Sequence, residues 1–237
     1  MEDITADYIE YEENGINTQN EKSLHADLKK WYGRPGDRYE ARVDGSIVDI
    51  VRGELLIEIQ TRNFLALSKK LSRLCQTHKV RLVYPVPREK HIVYTDSHGT
   101  VIKRRKSPKS GSLLDVFDEL VSIPKLAADK NLAIEVLLVD VEETRCQDGR
   151  GSWRRKGNSI VDRRLVDVID SMCMESPEDF RKLIPEGIDE PFSNKTLAEA
   201  MGIPVSTARK ITYCYRRMNI IELTGKKGNE LLFSVNK

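Results

Sequence analysis

Apolar positions along the chain change their period several times, and each change marks an element. Leu24, Leu28 and Trp31 recur at i, i+4 and i+7, which predicts a helix capped at Asn20 and stopped by Gly33 and Pro35. Three strand-like runs follow, Tyr39–Val43, Ser46–Val51 and Leu55–Gln60, separated by Asp44-Gly45 and Gly53-Glu54. Asp-Gly is a strong two-residue hairpin signal, and Gly at the first turn position suits a type II′ turn. Asn63 is placed to cap a second helix with Phe64, Leu67, Leu71, Leu74 and His78 on one face. Arg81–Tyr84 reads as a strand closed by Pro85, so the order is helix, three-strand meander, helix, strand.

Further along, His91–Asp96 and Thr100–Arg105 flank Ser97-His98-Gly99 as a hairpin, Leu113–Val121 is a short helix and Leu132–Val141 an apolar strand. A Gly/Arg-rich loop spans 145–158, and Ile160–Met174 is expected to be helical. Beyond it, Ser176-Pro177-Glu178-Asp179 opens a helix with Pro in its first turn. Ser193 begins another that ends at Met201-Gly202. After Ile203-Pro204, Ser206 caps a basic helix through Met218. Ile220–Leu223 and Leu231–Val235 then flank Thr224–Asn229.

Composition narrows the class. The 237 residues suit one large domain or two small ones, and 39% hydrophobic residues are enough to bury a core. No run of 18 apolar residues is present, which excludes a membrane-spanning helix. Residues 1–20 carry Glu2, Asp3, Asp7, Glu10, Glu12 and Glu13 and no base, so a mobile acidic tail is expected there and not an export signal. Four scattered cysteines suit a reducing, cytoplasmic setting, and neither they nor the four histidines have metal-site spacing. No dinucleotide, P-loop or hydrolase-elbow motif occurs.

The net charge of +2 conceals clustering. Bases gather at Lys103, Arg104, Arg105, Lys106 and Lys109, and again at Arg150, Arg154, Arg155, Lys156, Arg163 and Arg164. Residues 205–237 hold seven bases against Glu222 and Glu230. One such run is a solvated face; three on one chain point to a polyanion.

The meander carries candidate chemistry. About Gly53-Glu54 paired residue numbers sum to 107, which sets Asp49 opposite Glu58; about Asp44-Gly45 they sum to 89, which sets Glu40 opposite Asp49. Three carboxylates thus form a row among Ile47, Val48, Ile50, Val51, Leu56, Ile57 and Ile59. Opposed side chains lie about 5 Å apart, and two charges at that distance repel by about 3 kcal/mol at an effective dielectric near 20. A divalent cation would remove the repulsion; so would a Lys or Arg from a helix.

Asp49, eight intervening residues and then Glu58-Ile59-Gln60, on adjacent strands after a helix that begins near Glu21, resemble the PD-(D/E)xK superfamily, the restriction-endonuclease-like fold. The element order over residues 21–85 is similar too. The resemblance implies an α/β fold with a mixed sheet and Mg²⁺ or Mn²⁺ as cofactor. Its metal ligands would be Asp49, Glu58 and the Ile59 carbonyl, with Glu40 alongside. Catalytic roles would fall to Asp49, Glu58, Gln60 and Glu21, the last matching a helix-borne acid of some members. The implied activity is metal-dependent hydrolysis of DNA phosphodiesters. Gln60 departs from the motif's lysine; Arg62, or Lys69 or Lys70 on the next helix, can reach the same place. His25, one turn after Glu21, can bond that acid or be a satisfied interior histidine.

Residues 176–237 resemble a small winged-helix DNA-binding domain, which implies that Arg209, Lys210 and Arg216 face a groove and that Lys226 and Lys227 at the wing tip meet phosphates. Lys103, Arg104, Arg105, Arg154, Arg155 and Lys156 are further DNA-contact candidates, and Trp153 can stack on a base or plug a domain interface. The expected organisation is an acidic tail at 1–20, a nuclease-like domain at 21–145, a basic loop and connecting helix at 146–175, and a winged helix at 176–237. The expected partner is DNA, double-stranded or branched, with no membrane; a homodimer stays open. A catalytically inactive DNA-binding regulator is the alternative, and a protein-interaction module using the acidic tail a third class.

Overall fold

The computed structural model of the protein describes residues 23–236. Asn20, Glu21 and the acidic tail lie outside the described residues. Helix α1 (Ser23–Tyr32) buries Leu24, Leu28 and Tyr32. Trp31, expected on that stripe, is half exposed, because Tyr32 fills the i+4 position after Leu28.

The meander β1 (Arg38–Val43), β2 (Ser46–Arg52) and β3 (Leu55–Ile59) keeps the turn-derived register. Arg42 pairs with Ile47 and Arg38 with Val51, while Ile50 pairs with Ile57 and Arg52 with Leu55. Asp44 and Gly45 both have positive φ, as a type I′ turn requires.

Helix α2 (Phe64–Leu74) buries Phe64, Leu71 and Leu74. Asn63 does not cap it. Its backbone is left-handed, and the Glu119 carboxylate accepts from Phe64 N at 3.0 Å instead. His78 lies past the helix end, where its Nε2 is 3.0 Å from Asp44.

Strand β4 (Lys79–Thr95) runs straight through Pro85, where the strand was expected to close. On one side β4 pairs with β3 as far as Val83, and with the antiparallel β5 (Val101–Lys106) only from His91. Pro85 and Pro87 sit between these partners, two residues apart, and the Pro87 carbonyl accepts from Gly111 N on that open side. A missing N–H costs nothing where no strand is there to receive it. Strand β6 (Leu132–Cys146) lies parallel on the other side of β4.

Residues 160–174 form no helix. They belong to β7 (Ser159–Met174), antiparallel on β6. Three register shifts interrupt this pairing and break the two-residue alternation that marks a strand. Ile160, Val161, Val166, Val168 and Ile169 are β-branched and favour it, and β6 needs a partner on that edge. The helix expected within 146–175 is therefore an edge strand of the main sheet, whose order is β1-β2-β3-β4-β6-β7 with β5 beside β4, and residues 147–158 form the loop that leads into it.

Helix α1 covers one sheet face through Ile50, Ile57, Val83 and Leu137; each fully buried Leu or Ile contributes about 1.5–3 kcal/mol. The other face carries α2 and α3 (Phe117–Leu120), which follows a 3-10 turn at Leu113–Val116. It also packs against the C-terminal elements α4 (Pro177–Arg181), β8 (Phe192–Ser193), α5 (Asn194–Met201), α6 (Val205–Arg217), β9 (Ile221–Lys227) and β10 (Glu230–Val235). Tyr215 of α6 is buried against Phe117, ring centroids 5.7 Å apart, and its hydroxyl donates to the Phe180 carbonyl at 2.5 Å.

Ser193 caps α5, accepting from Lys195 N and Thr196 N. Pro204, not Ser206, precedes α6, since Pro fixes a φ suited to entering a helix. The terminal hairpin is tighter than expected: Lys227 pairs with Glu230, leaving Gly228-Asn229 as the turn, and β8, β10 and β9 form a three-stranded sheet.

Candidate functional site

The β2–β3 pairing gives way where Asp49 and Glu58 face each other. The paired positions stop at Ile50 and Ile57, and Ile59 N donates to Asp49 Oδ2 at 2.8 Å. A side chain has replaced the ladder, so a carboxylate enters the sheet. His25 Nε2 of α1 lies 3.1 Å from the same oxygen. Burial pushes the Asp49 carboxyl up, but the His25 bond and charge and the Ile59 amide together hold it below the usual carboxylate range.

Glu58, 3% exposed, behaves oppositely. Burial raises its pKa to about 7, and the charge of Asp49 adds to the rise. Lys70 Nζ of α2 stands 2.5 Å from Glu58 Oε1 and donates to the Ile47 carbonyl at 2.5 Å. The helix-borne lysine has thus reached the carboxylate. Glu58 Oε1 is buried without a well-oriented hydrogen bond, so its lone pairs are incompletely used.

Glu40 departs from the expected row. Its φ is +50°, it drops out of the β1–β2 pairing, and its exposed carboxylate pairs with Lys29. Gln60 is also turned away, donating to the Arg62 carbonyl at 2.5 Å. Among the described residues no three His, Cys, Asp or Glu side chains group as a metal site. Asp49 and Glu58 supply two hard oxygen donors, which fit Mg²⁺ or Mn²⁺ if Lys70 yields Oε1 and solvent completes the shell. Glu21 lies outside the described residues.

The basic candidates sort into two places. Strand alternation sends Lys103 and Arg105 to one face of β5, while Arg104 pairs with Glu142. Lys103 and Arg105 join Arg154, Arg155 and Lys156 around a pocket of about 650 Å³. Arg163 and Arg164 do not join it, being held by Glu143 and Asp27. Trp153 is 83% exposed and plugs no interface among the described residues.

Sequence reading did not single out the other lining residues, Tyr94 and Arg145 foremost among them. Tyr94 pairs with Lys103 only because a bulge between Tyr94 and Thr95 shifts the β4–β5 register by one residue, and Arg145 reaches Tyr94 only through the parallel β4–β6 pairing; neither leaves a local signal.

On α6, Ser206, Arg209, Tyr213 and Arg216 share one exposed stripe, with Arg217 stacked 5.5 Å from the Tyr213 ring. Lys210 turns aside to Asp118 at 2.6 Å. Lys226 and Lys227 are exposed next to the hairpin turn. No helix among the described residues is long and apolar enough to cross a membrane.

The sequence matches the model of a family described as a domain of unknown function, DUF8091, over residues 22–175, an interval that ends one residue beyond β7. A protein of Treponema pallidum (strain Nichols) described as uncharacterized is 34% identical over 167 residues, which cover 70% of this chain. The chain spans 64% of that relative's length. No solved structure matches.

Proposed function

From a chain that belongs to the DUF8091 family, whose description leaves function open, we propose a DNA-acting protein in which Asp49 and Glu58 form a metal-dependent phosphodiesterase centre. The observation that carries this reading is the paired carboxylate break in the β2–β3 ladder with a lysine from α2 at its rim. A structural sheet gains nothing from burying two interacting carboxylates at that point. The order of α1, the β1–β3 meander, α2 and the parallel β4 supports a restriction-endonuclease-like core. The order of α5, its Gly202 turn, α6 and the β9–β10 hairpin supports a winged helix at 176–237.

On this reading Asp49 and Glu58, with the Ile59 carbonyl, hold the ion. A bound Mg²⁺ supplies charge for the scissile phosphate and acidifies a water. Lys70, released from Glu58, places an ammonium beside the developing negative charge, the role the motif's lysine would fill. His25 keeps Asp49 ionised and oriented. Water adds to phosphorus and releases a proton to solvent, the bond to the leaving oxygen breaks, and that oxygen takes a proton from solvent. The α6 stripe and the β9–β10 hairpin hold the duplex.

A second reading rests on the same ion pairs. Lys70, His25 and Lys29 already compensate Glu58, Asp49 and Glu40 without metal, and Gln60 points away, as suits an inactive DNA-binding regulator. Incubation with duplex, branched and single-stranded DNA with and without Mn²⁺ separates the two: the nuclease cuts at least one of them only when the metal is present, and the regulator cuts none.

A further inference from the structure

The pocket beside Tyr94 is a separate site from the carboxylates. Glu58 pairs with Leu82 of β4, whereas Tyr94 lies twelve residues further along that strand. None of Asp49, Glu58, Lys70 and His25 lines the pocket.

Its chemistry is one-sided. Lys103, Arg105, Arg145, Arg154, Arg155 and Lys156 line it, and no Asp or Glu does. Arg145 is paired with the fully buried Glu143, to which its Nε and Nη2 donate at 2.7 and 2.5 Å, a carboxylate that it shares with Arg163 and Lys90. The other five have no carboxylate partner among the described residues. Three of the cations converge on one ring: Lys103 Nζ is 4.9 Å from the Tyr94 centroid, Arg105 5.9 Å and Arg145 6.0 Å. Mutual repulsion makes this gathering uphill until an anion enters.

The loop that brings three of these cations is folded. Gly151 N donates to the Gly157 carbonyl at 2.7 Å, and a Cβ at Gly151 would stand 1.8 Å from the Asn158 carbonyl oxygen, so only glycine allows the approach. Lys156 and Gly157 turn the chain with φ of +52° and +78°. Asn158 is buried, and its amide ties down the Arg155 carbonyl at 2.7 Å. Beside the pocket, Trp153 offers an open indole face next to Arg154.

We propose that this pocket binds a nucleotide-type ligand through two or more phosphates held by Lys103, Arg105, Arg154, Arg155 and Lys156, with the base stacked on Trp153. One phosphodiester carries a single charge, too little for five unmatched cations. A volume of about 650 Å³ lies within the range of small-molecule sites. Two sources present this chemistry, a free nucleoside triphosphate and the phosphorylated end of a nucleic-acid strand. The proposal is independent of the Asp49–Glu58 centre and uses none of its residues; it gives the DNA-contact candidates Lys103, Arg105, Arg154, Arg155 and Lys156 a narrower ligand.

The test is calorimetry on the full chain with ATP, inorganic triphosphate, and one single-stranded oligonucleotide in 5′-phosphate and 5′-hydroxyl forms, with Trp fluorescence read in parallel. Lys103 and Arg154 are exposed, so the double variant Lys103→Gln, Arg154→Gln retains the fold, checked by circular dichroism. Tenfold or greater loss of ATP binding in that variant supports the proposal with a free nucleotide as ligand. The same loss confined to the 5′-phosphate oligonucleotide supports it with a strand end. Trp153→Ala should weaken ATP about tenfold and leave inorganic triphosphate unchanged. Equal binding of the 5′-phosphate and 5′-hydroxyl forms with no ATP binding overturns it, as does unchanged affinity in a folded double variant.

Discussion

Lys70 of α2 places its ammonium 2.5 Å from the buried carboxylate of Glu58 on β3, across the gap left where Asp49 replaces the strand ladder. On the proposed function Lys70 stands in for the lysine that Gln60 replaces, while Gln60 is occupied with the Arg62 and Asn63 carbonyls. On the proposed function, Lys70→Met lowers the single-turnover cleavage rate by about 10²-fold, the usual effect of removing one transition-state donor. Gln60→Ala changes it little. Rates measured at saturating DNA and Mn²⁺ check the order; a larger loss at Gln60 contradicts it.

Glu58 gives stability a pH signature. Its folded pKa, about 7, is raised above the ordinary 4.5 first by burial and then by Asp49. The folded protein thus favours the proton. The associated stability is fully present below pH 4.5 and is lost as pH rises through 7. Glu58→Gln should flatten that decline. Thermal melts of both proteins from pH 4 to 9 measure it, and parallel curves would exclude the shift.

Glu143 has the opposite sign. Burial works against its charge, but hydrogen bonds from Arg145 and Arg163, with Lys90 nearby, bring its pKa down to about 2. Its stability is present above pH 4.5 and is lost as pH falls toward 2. Glu143→Ala strands three cations around a buried position and should cost about 3–5 kcal/mol. Denaturant titration at neutral pH checks this.

How much of this was legible depends on locality. The register of β1, β2 and β3 followed from two two-residue turns, and every observed pair there obeys it. The opposition of Asp49 and Glu58 was therefore readable, but the break in the ladder between them was not, because it depends on His25 and on the Ile59 amide. Pro85 misled because its harmlessness depends on β3 ending and β5 starting elsewhere along β4. Strand β7 was hidden by three register shifts that erase its alternation. The Tyr94 pocket needed the parallel pairing of β4 with β6, a contact between residues about fifty positions apart.

The β9–β10 hairpin should report through salt. Lys226 and Lys227 are exposed next to its turn, and each phosphate contact adds about −0.9 to the slope of log K against log salt. Replacing both with Ala should reduce the slope magnitude by about 2 and weaken all duplexes alike. Arg209 and Arg216 variants should act in a sequence-dependent way where a preferred site exists. An unchanged slope in a folded double variant would make the C-terminal elements a protein-contact module.

The central claim, a metal-dependent phosphodiesterase centre at Asp49 and Glu58, is tested most directly by assaying the wild type and Asp49→Ala on duplex, branched and single-stranded DNA with Mn²⁺, and by measuring their DNA affinities in EDTA. The account predicts Mn²⁺-dependent cleavage by the wild type, none by Asp49→Ala, and nearly equal affinities without metal. A wild-type protein that binds DNA and cuts none of the three forms in the presence of Mn²⁺ would contradict it.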